Sequence, residues 1–410
     1  MNSRQTFFIS VLLCTLQIQL TNAFPSEDRQ NKRSYVESIR LLSPSVGCDI
    51  SGKTEVKFIA KGMTTAHALC WNAPDRKNRS PWGHDTNLTP GGIHLAATGI
   101  GKFVFNANKL PHGPLNIRIH AQNSEGEHDV FELQVYNKKG KRWKEGIPSS
   151  PPPGAEGMEL FFSDDFDNKE LSISNDGRGT RYNAHKPTFG DFSGWPFTDV
   201  TSPLNPFSQR DTYLKIAARK PTGTRGSTGL LAPVDMDGKG LWVKAPCYFE
   251  CRFLAHSAPG TWPAFWVLNQ TKNLPGDELD IIEAYGGRGE GNPNDSGYYA
   301  TAHYWQQKDS EGKEVKAPWK HINMLEIGSK TSWSTTFHTY GLRVGKGSTV
   351  YYLDNIEVFR HATNRYSGEQ PLFFLVNYAI GGASGWKINL ERYDNSSDMY
   401  VDFIRVYQGK

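Results

Sequence analysis

Three carboxylates, Glu278, Asp280 and Glu283, lie within six residues of one short stretch. The residues between them are apolar and mostly β-branched, which is typical of a buried strand rather than of a solvated acidic surface. An unpaired carboxylate in an apolar layer costs several kcal/mol, so acids at these positions need either cationic partners or a chemical task. Pairing with nearby Arg or Lys side chains is the plainer alternative.

Strand alternation creates a conflict within this stretch. On a flat strand Glu278 and Asp280 share one face, whereas Glu283 would join Leu279 and Ile281 on the apolar face. A β-bulge after Asp280 removes the conflict, because one extra residue turns Glu283 onto the face of the other two acids, and bulges are common beside active sites. The sequence therefore predicts a bulged strand whose three acids line one wall of a cleft.

The bulged spacing suits the cleavage of a glycosidic bond. Glu278 and Glu283 would have backbone positions roughly 13 Å apart along the strand. Their long side chains can lean together towards the ~5 to 5.5 Å separation of carboxyl groups that a retaining glycosidase needs. Asp280 can hydrogen-bond Glu278, and its charge separates the pKa values of the outer pair, so that Glu283 keeps a proton near neutral pH.

The pattern Glu-x-Asp-x-x-Glu resembles the signature of glycoside hydrolase family 16, in the bulged branch that contains laminarinases, agarases, porphyranases and κ-carrageenases. This resemblance implies that Glu278 is the nucleophile, Asp280 an assisting acid and Glu283 the general acid/base. It extends over residues 160–407 and includes the strings WPAFW and NYAIGG. It implies a concanavalin-like β-jelly-roll sandwich and no cofactor for catalysis.

Candidate substrate-binding residues flank the three acids. Alternation over residues 260–268 places Phe265 and Val267 in the core and Trp266 in the cleft, where its ring could stack on the C–H surface of a sugar. Core packing is the alternative for the tryptophans. His303 resembles a family histidine near the acid/base. The predicted substrate-binding residues are Trp262, Trp266, His303, Trp305, Trp195 and Asn377.

A structural calcium is a further implication of the resemblance. Asp402 lies in the closing strand, at a position where family members often use an aspartate to hold calcium on the convex side of the sandwich. One carboxylate cannot form such a site without backbone carbonyl oxygens.

The 410 residues are enough for two domains, and the content of 40 Gly and 24 Pro favours an all-β, turn-rich protein. Arg4, the apolar run at 7–13 and the small residues before position 23 predict a signal peptide, so that the mature protein is secreted and extracellular. The predicted organisation is a signal peptide at 1–23, an immunoglobulin-like β-sandwich at 35–138, a Pro- and Gly-rich linker at 139–157 and a catalytic domain at 158–410.

Cysteine spacing gives few constraints. Cys48 and Cys70 form either a disulfide or two thiols, and the sequence leaves both possibilities open. Cys247 and Cys251 would lie about 13 Å apart on one strand, and this separation is too large for a disulfide.

The expected partner is a polysaccharide substrate, and we expect a monomer. A secreted chain without a recognisable nucleic-acid motif is not expected to bind nucleic acid. Beyond the signal peptide, no segment has the roughly 20 apolar residues that a membrane span requires. The basic run at 138–142 is either a solvated linker edge or a weak attraction for a polyanionic polysaccharide.

The sequence favours a secreted, endo-acting retaining glycoside hydrolase that cleaves β-linkages in a β-glucan or a marine galactan. One alternative is an inactive carbohydrate-recognition protein, which would have lost a glutamate of the triplet; both glutamates are present. Another is a transglycosylase, which would use the same carboxylates with a sugar in place of water.

Overall fold

The structure is a computed structural model that describes residues 34–72, 84–142, 150–167, 170–187, 190–270, 274–287, 297–329 and 331–410. The expected signal peptide and residues 143–149 of the expected linker lie outside the described residues. Within them the chain is almost entirely β, with one short α-helix, α1 (Arg365–Glu369). The expectation of an all-β fold is therefore confirmed. None of the described helices is long and apolar enough to cross a membrane.

Residues 34–142 form two sheets, which together we call the N-terminal sandwich. The larger sheet has the order β1-β10-β9-β5-β6, with β3 paired to β10 and β7 to β5, and the smaller has the order β2-β4-β8. Its immunoglobulin-like character stays a prediction. The strands are β1 (Ser34–Tyr35), β2 (Ile39–Ser43), β3 (Asp49–Ile50), β4 (Lys53–Ala60), β5 (Thr65–Asn72), β6 (His84–Asn87), β7 (Ile93–His94), β8 (Ile100–Asn106), β9 (Gly113–Gln122) and β10 (Glu127–Asn137).

Residues 150–410 form the C-terminal sandwich, of the jelly-roll type. One sheet has the order β14-β15-β26-β17-β22-β23-β24 with β11 on β26, and the other the order β16-β25-β18-β19-β20-β21; β12 and β13 pair separately. The strands are β11 (Met158–Asp164), β12 (Ile173–Ser174), β13 (Tyr182–Asn183), β14 (Phe207–Arg210), β15 (Tyr213–Arg219), β16 (Leu230–Leu231), β17 (Cys247–Ala255), β18 (Thr261–Leu268), β19 (Gly276–Glu283), β20 (Gly297–Trp305), β21 (Trp319–Asn323), β22 (His338–Val344), β23 (Ser348–Leu353), β24 (Ile356–Ala362), β25 (Phe373–Ile380) and β26 (Ser396–Gly409).

The two large sheets of the C-terminal sandwich share one core. Phe265 and Val267 of β18 are fully buried in it, with Leu279 of β19, and they pack with residues of β17, β22 and β26 such as Phe249 and Ile404. We call the face of the six-stranded sheet that points away from this core the outer face. The prediction that Phe265 and Val267 belong to the core is confirmed.

A fourth acid of the 276–283 stretch has a structural role. Asp277 is completely buried and accepts hydrogen bonds from the Nδ2 atom of Asn364 (2.7 Å), the Nε2 atom of Gln307 (2.7 Å) and the backbone N–H of Ser367 (2.8 Å). Each of these donors satisfies a carboxylate lone pair that burial would otherwise leave unpaired. Asp277 therefore anchors α1 against the start of β19.

The linker ends in packed structure instead of an extended segment. Pro153–Ala155 form a 3-10 helix, and the glycine within it lies so close to the ring of Tyr248 that a Cβ there would collide with the ring. Arg343 Nη1 donates to the carbonyl oxygen of Gly154 at 2.8 Å. The chain is thus already fixed to the C-terminal sandwich before β11 begins.

The N-terminal sandwich meets the C-terminal one through a buried polar contact, which we call the seam. It joins Asp129, Glu132 and Gln134 of β10 to residues of the C-terminal sandwich. Gln134 exchanges two hydrogen bonds of 3.0 Å with the backbone of Asp398. The guanidinium of Arg392 makes two 3.0 Å contacts with the Asp129 carboxylate, and both side chains are buried.

Three of the cysteines, Cys48, Cys247 and Cys251, are free thiols, and the last two are buried in β17. The expectation that Cys247 and Cys251 do not bond to each other is confirmed.

We predict that Arg392→Met destabilises the protein by about 3–5 kcal/mol, since it leaves the Asp129 carboxylate buried without its counter-ion. Urea denaturation measures the change in the free energy of unfolding. The matched control is Arg360→Met, which removes an exposed pair with Glu357 and should change stability little. Equal effects of the two substitutions would contradict a stabilising role for the seam.

Candidate active site

The predicted bulge is present in β19. Phe265 of β18 pairs with Ile282, and the next residue, Trp266, pairs with Asp280, so Ile281 is the extra residue. The register with β20 shifts at the same place, between Asp280 and Glu283. Both Ile281 and Ile282 are buried in the core, which apolar side chains favour and a carboxylate would not.

The bulge brings the three acids to the outer face. On the β18 side, Glu278 pairs with Leu268, Asp280 with Trp266 and Glu283 with Ala264. These partners belong to an apolar cluster separate from the main core. On the β20 side the acids pair with His303, Thr301 and Tyr299, which are partly exposed and alternate with buried residues of the main core. The acids and their neighbours on both sides therefore share one face.

Specific contacts hold the acids in place. Trp305 Nε1 donates a 3.0 Å hydrogen bond to Glu278 Oε2, and His303 Nε2 lies 3.2 Å from Asp280 Oδ2. The hydroxyl of Tyr285 lies 3.5 Å from Glu283 Oε1. Each acid thus has a different polar neighbour, so the three carboxyl groups have different environments despite their closeness in sequence.

Burial and mutual repulsion raise the pKa of both glutamates. Burial, together with the charge of Asp280, raises the pKa of Glu278 to about 7, although His303, Trp305 and Lys186 oppose the change. The same two causes raise the pKa of Glu283 to about 8. Burial alone would lower the pKa of His303, but its hydrogen bond and charge interaction with Asp280 and the charges of the glutamates raise it to about 9. Both shifts have the same direction, so each glutamate holds its proton to a higher pH than a free side chain does.

Trp262 and Trp266 lie on the outer face beneath other aromatic rings. They are 9% and 5% exposed, and the ring of Phe192 meets both edge to face, at 5.3 and 5.9 Å between centroids. The completely buried Asn377 accepts a 2.8 Å hydrogen bond from Trp266 Nε1 and donates to the carbonyl oxygen of Trp262. These residues therefore support the floor of the site, and Asn377 orients the two tryptophans.

Two other tryptophans are more exposed on this face. Trp305 is 46% exposed and its ring stacks with His303 at 5.1 Å, while Trp319 on β21 is 63% exposed and lies 6.0 Å from the ring of Tyr299. Sequence reasoning missed Trp319, because it follows an irregular polar segment without strand alternation. Its single aromatic ring in a short strand gives no signal of which face it occupies.

The remaining candidates lie elsewhere. Trp195 is 3% exposed and packs in the main core, where Gly226 is needed because a Cβ would touch the indole ring. Asp402 is completely buried, and the guanidinium Nε of Arg252 lies 3.5 Å from its Oδ2 atom. The role of Asp402 in a structural calcium site stays a prediction.

One group of potential metal ligands does occur among the described residues. Glu278, Asp280 and His303 each offer a ligand atom within 4.8 Å of the others. Within this group His303 Nε2 lies 3.2 Å from Asp280 Oδ2, so the protonated imidazole forms an ion pair with that carboxylate.

Comparison with known proteins relates part of the C-terminal sandwich to a family. Residues 247–387, which include β19 and the facing strands, match the model described as glycosyl hydrolases family 16. This region of the C-terminal sandwich resembles glycosyl hydrolase family 16. The family signature predicted from the Glu-x-Asp-x-x-Glu pattern is therefore confirmed.

Two curated relatives come from Rhizobium meliloti. The endo-1,3-1,4-β-glycanases ExsH and EglC of Rhizobium meliloti are 26% and 27% identical over 220 and 268 residues, which are 52% and 60% of this chain. The matched parts are 42% and 51% of those two proteins, so the chain spans about half the length of these relatives. Among solved structures, the laminarinase of Flavobacterium sp. UMI-01 is 21% identical, with 61% of this chain and 100% of that one covered and a TM-score of 0.47.

We predict that Trp305→Phe raises the pKa of Glu278. The indole N–H stabilises the charged carboxylate, and its loss makes ionisation harder. NMR titration of carboxyl carbons in glutamate-labelled protein measures the pKa directly. Trp319→Phe, which alters the exposed tryptophan of β21, is the control and should leave the titration unchanged. An unaltered Glu278 titration in Trp305→Phe would refute the contribution of this hydrogen bond.

We also predict that Glu283→Gln stabilises the protein at alkaline pH. The folded-state pKa of Glu283, about 8, lies above the unfolded value. The folded state therefore binds more protons between these values, and the free energy of unfolding falls as pH rises through that window. The variant should gain stability on the order of a few kcal/mol near pH 8.5 and nothing below about pH 4.

Urea denaturation across this pH range tests the prediction, with the exposed Glu369→Gln as the control. If Glu283→Gln and the unchanged protein have the same midpoint at every pH, Glu283 carries no desolvation cost.

Proposed function

We propose that this protein is an endo-acting hydrolase that cleaves β-glucan with retention of anomeric configuration. The observation that carries the proposal is the bulge at Ile281, which brings Glu278, Asp280 and Glu283 to one face of the sheet. Two glutamates on one face, each with a different polar neighbour, suit the nucleophile and the acid/base of a retaining glycosidase. The match of residues 247–387 to glycosyl hydrolases family 16 supports the same reaction class.

In the first step, a carboxylate oxygen of Glu278 attacks the anomeric carbon of the bound sugar. Glu283 gives its proton to the glycosidic oxygen, the bond between that oxygen and the anomeric carbon breaks, and the leaving chain departs with a new hydroxyl group. A glycosyl ester on Glu278 remains. Glu283 suits the donor role because its pKa, raised by burial and by Asp280, keeps it protonated near neutral pH.

In the second step, the now ionised Glu283 takes a proton from water, whose oxygen attacks the anomeric carbon and releases Glu278 as a carboxylate. Two displacements at one carbon retain its configuration. Asp280 holds His303 as a cation, and Trp305 donates to Glu278. These contacts favour the ionised form of Glu278 that attack requires.

The substrate class rests on the relatives and on the exposed rings. The two R. meliloti relatives are named endo-1,3-1,4-β-glycanases, and a third relative, from Rhodothermus marinus, is named a β-glucanase and is 24% identical over 190 residues. The exposed rings of Trp305 and Trp319 offer apolar faces to the C–H surface of a glucose chain. Polysaccharides outside cells require a secreted enzyme, and we propose secretion on the sequence features at 1–23.

The test is incubation of the purified protein with laminarin, mixed-linkage glucan, agarose, porphyran and carrageenan, with identification of the products. We expect oligosaccharides from the two glucans, with a rapid fall in viscosity because cleavage is internal. NMR of the first products should show the β-anomer. Cleavage of a galactan alone would contradict the glucan assignment, and initial α-anomers would contradict retention.

We predict that Glu278→Gln and Glu283→Gln each lower kcat by about 1,000-fold or more, because each removes a group that takes part in bond making or breaking. Turnover of the preferred glucan measures the loss, and circular dichroism verifies the fold. Glu369→Gln is the matched carboxyl-to-amide control and should keep full activity. Normal turnover by Glu278→Gln would refute its role as nucleophile.

A further inference from the structure

We propose that the N-terminal sandwich helps to build the active site, with Glu132 and Ser257 as positioning residues for the segment at 284–287 that comes directly after Glu283. The inference rests on the proposed hydrolase function. It assigns a role to the N-terminal sandwich that does not require carbohydrate binding by that sandwich. One continuous path of hydrogen bonds leads from the seam to the outer face.

The path begins at Glu132 of β10, which is 5% exposed. Its Oε1 atom accepts a 2.9 Å hydrogen bond from the backbone N–H of Ser257, and its Oε2 atom accepts one of 2.9 Å from Ser334 Oγ. Both donors belong to the C-terminal sandwich. A charged acceptor makes these bonds stronger than those of a neutral group. The carboxylate of one sandwich therefore fixes a loop of the other.

That loop is the turn at 256–261 between β17 and β18. His256 is completely buried, and burial lowers its pKa to about 4, so the ring is neutral near pH 7. Its Nε2 atom lies 2.6 Å from the carbonyl oxygen of Glu132 and its Nδ1 atom 2.8 Å from Ser397 Oγ. A neutral imidazole with an N–H at Nε2 donates to the carbonyl and accepts from the serine. Hydrogen bonds therefore connect His256 to β10 and β26, and the next residue, Ser257, to β10.

The other side of the turn holds the segment at 284–287. The backbone N–H of Gly287 donates to Ser257 Oγ at 2.9 Å, and that of Gly286 donates to the carbonyl oxygen of Thr261 at 2.8 Å. Glycine is required at 286, because a Cβ there would collide with Thr261 Oγ1 and the backbone of Ala258. The segment therefore lies directly against the turn, with no space for a side chain between them.

This segment carries aromatic contacts of the active site. The ring of Tyr285 stacks on Trp262 at 5.8 Å between centroids, and its hydroxyl lies 3.5 Å from Glu283 Oε1. Trp386 Nε1 donates a 3.0 Å hydrogen bond to the carbonyl oxygen of Gly286, and its ring lies 5.7 Å from that of Tyr285. A shift of the segment would therefore move both rings beside the acid/base, where small displacements reduce substrate positioning.

The experiment compares Ser257→Ala and Glu132→Ala with Asp49→Asn. Asp49→Asn removes the ion pair of Asp49 with Arg210. This ion pair also joins the two sandwiches, but it has no link to the turn at 256–261. Ser257→Ala deletes only the hydroxyl that accepts the hydrogen bond from the Gly287 N–H. It should therefore fold even if Glu132→Ala does not. Glu132→Gln, which retains an acceptor oxygen, should restore most of what Glu132→Ala loses.

Two readouts are expected to change together. Hydrogen exchange of the 284–287 amides should quicken in Ser257→Ala and Glu132→Ala by about 5-fold, the equivalent of one lost hydrogen bond, and remain unchanged in Asp49→Asn. With the preferred glucan, KM should rise by a similar factor, about 5-fold, and kcat should fall less. In a Tyr285→Ala background, Ser257→Ala should have no further effect on KM, because both substitutions act through the same segment.

Unchanged exchange at 284–287, or additive effects of Ser257→Ala and Tyr285→Ala, would overturn the inference. The exchange measurement needs no substrate. If the unchanged protein cleaves none of the polysaccharides while exchange responds as expected, the hydrolase proposal fails and the positioning path is supported.

Discussion

The structure depends on one constraint, which is that a carboxylate without hydrogen-bond or ion-pair partners cannot occupy the apolar layer between two sheets. In β19 the layer receives Leu279, Ile281 and Ile282, two of which are consecutive in sequence, and only a bulge allows that. The same bulge turns Glu283 outward beside Asp280. The same bulge therefore accounts both for the hydrophobic packing of the core and for the grouping of the acids.

Grouping the acids has an electrostatic cost that their neighbours reduce. Burial and the Asp280 charge make ionisation of both glutamates unfavourable, and His303, drawn into the cationic form by the same charges, partly compensates. Stability and activity oppose each other at this position, as is general for sites that hold like charges together. On the same face, Phe192 packs edge to face against Trp262 and Trp266.

Features that depend on strand period and on charge were predictable from the sequence. The bulge was predictable because the cost of a misplaced acid is large, and the core position of Phe265 because strands alternate. The seam was not. Asn116, Glu132 and Gln134 alternate with apolar residues and are typical of a polar strand face, yet they are 1%, 5% and 1% exposed. Alternation shows that a face is polar, but whether water or a hydrogen-bonding partner covers it depends on residues more than 100 positions away. The structural role of Asp277 was not predictable for the same reason, since its hydrogen-bond donors Asn364 and Ser367 lie far along the chain.

The buried Asp129–Arg392 pair at the seam bears on how such a protein can change during evolution. Modules joined by exposed linkers can be exchanged by recombination, because each one buries only its own side chains. If either sandwich were transferred alone to a new gene, Asp129 or Arg392 would lie without its counter-ion on a surface that had been interior. The two sandwiches should therefore be inherited as a single unit, and substitutions at these two positions should occur in compensating pairs.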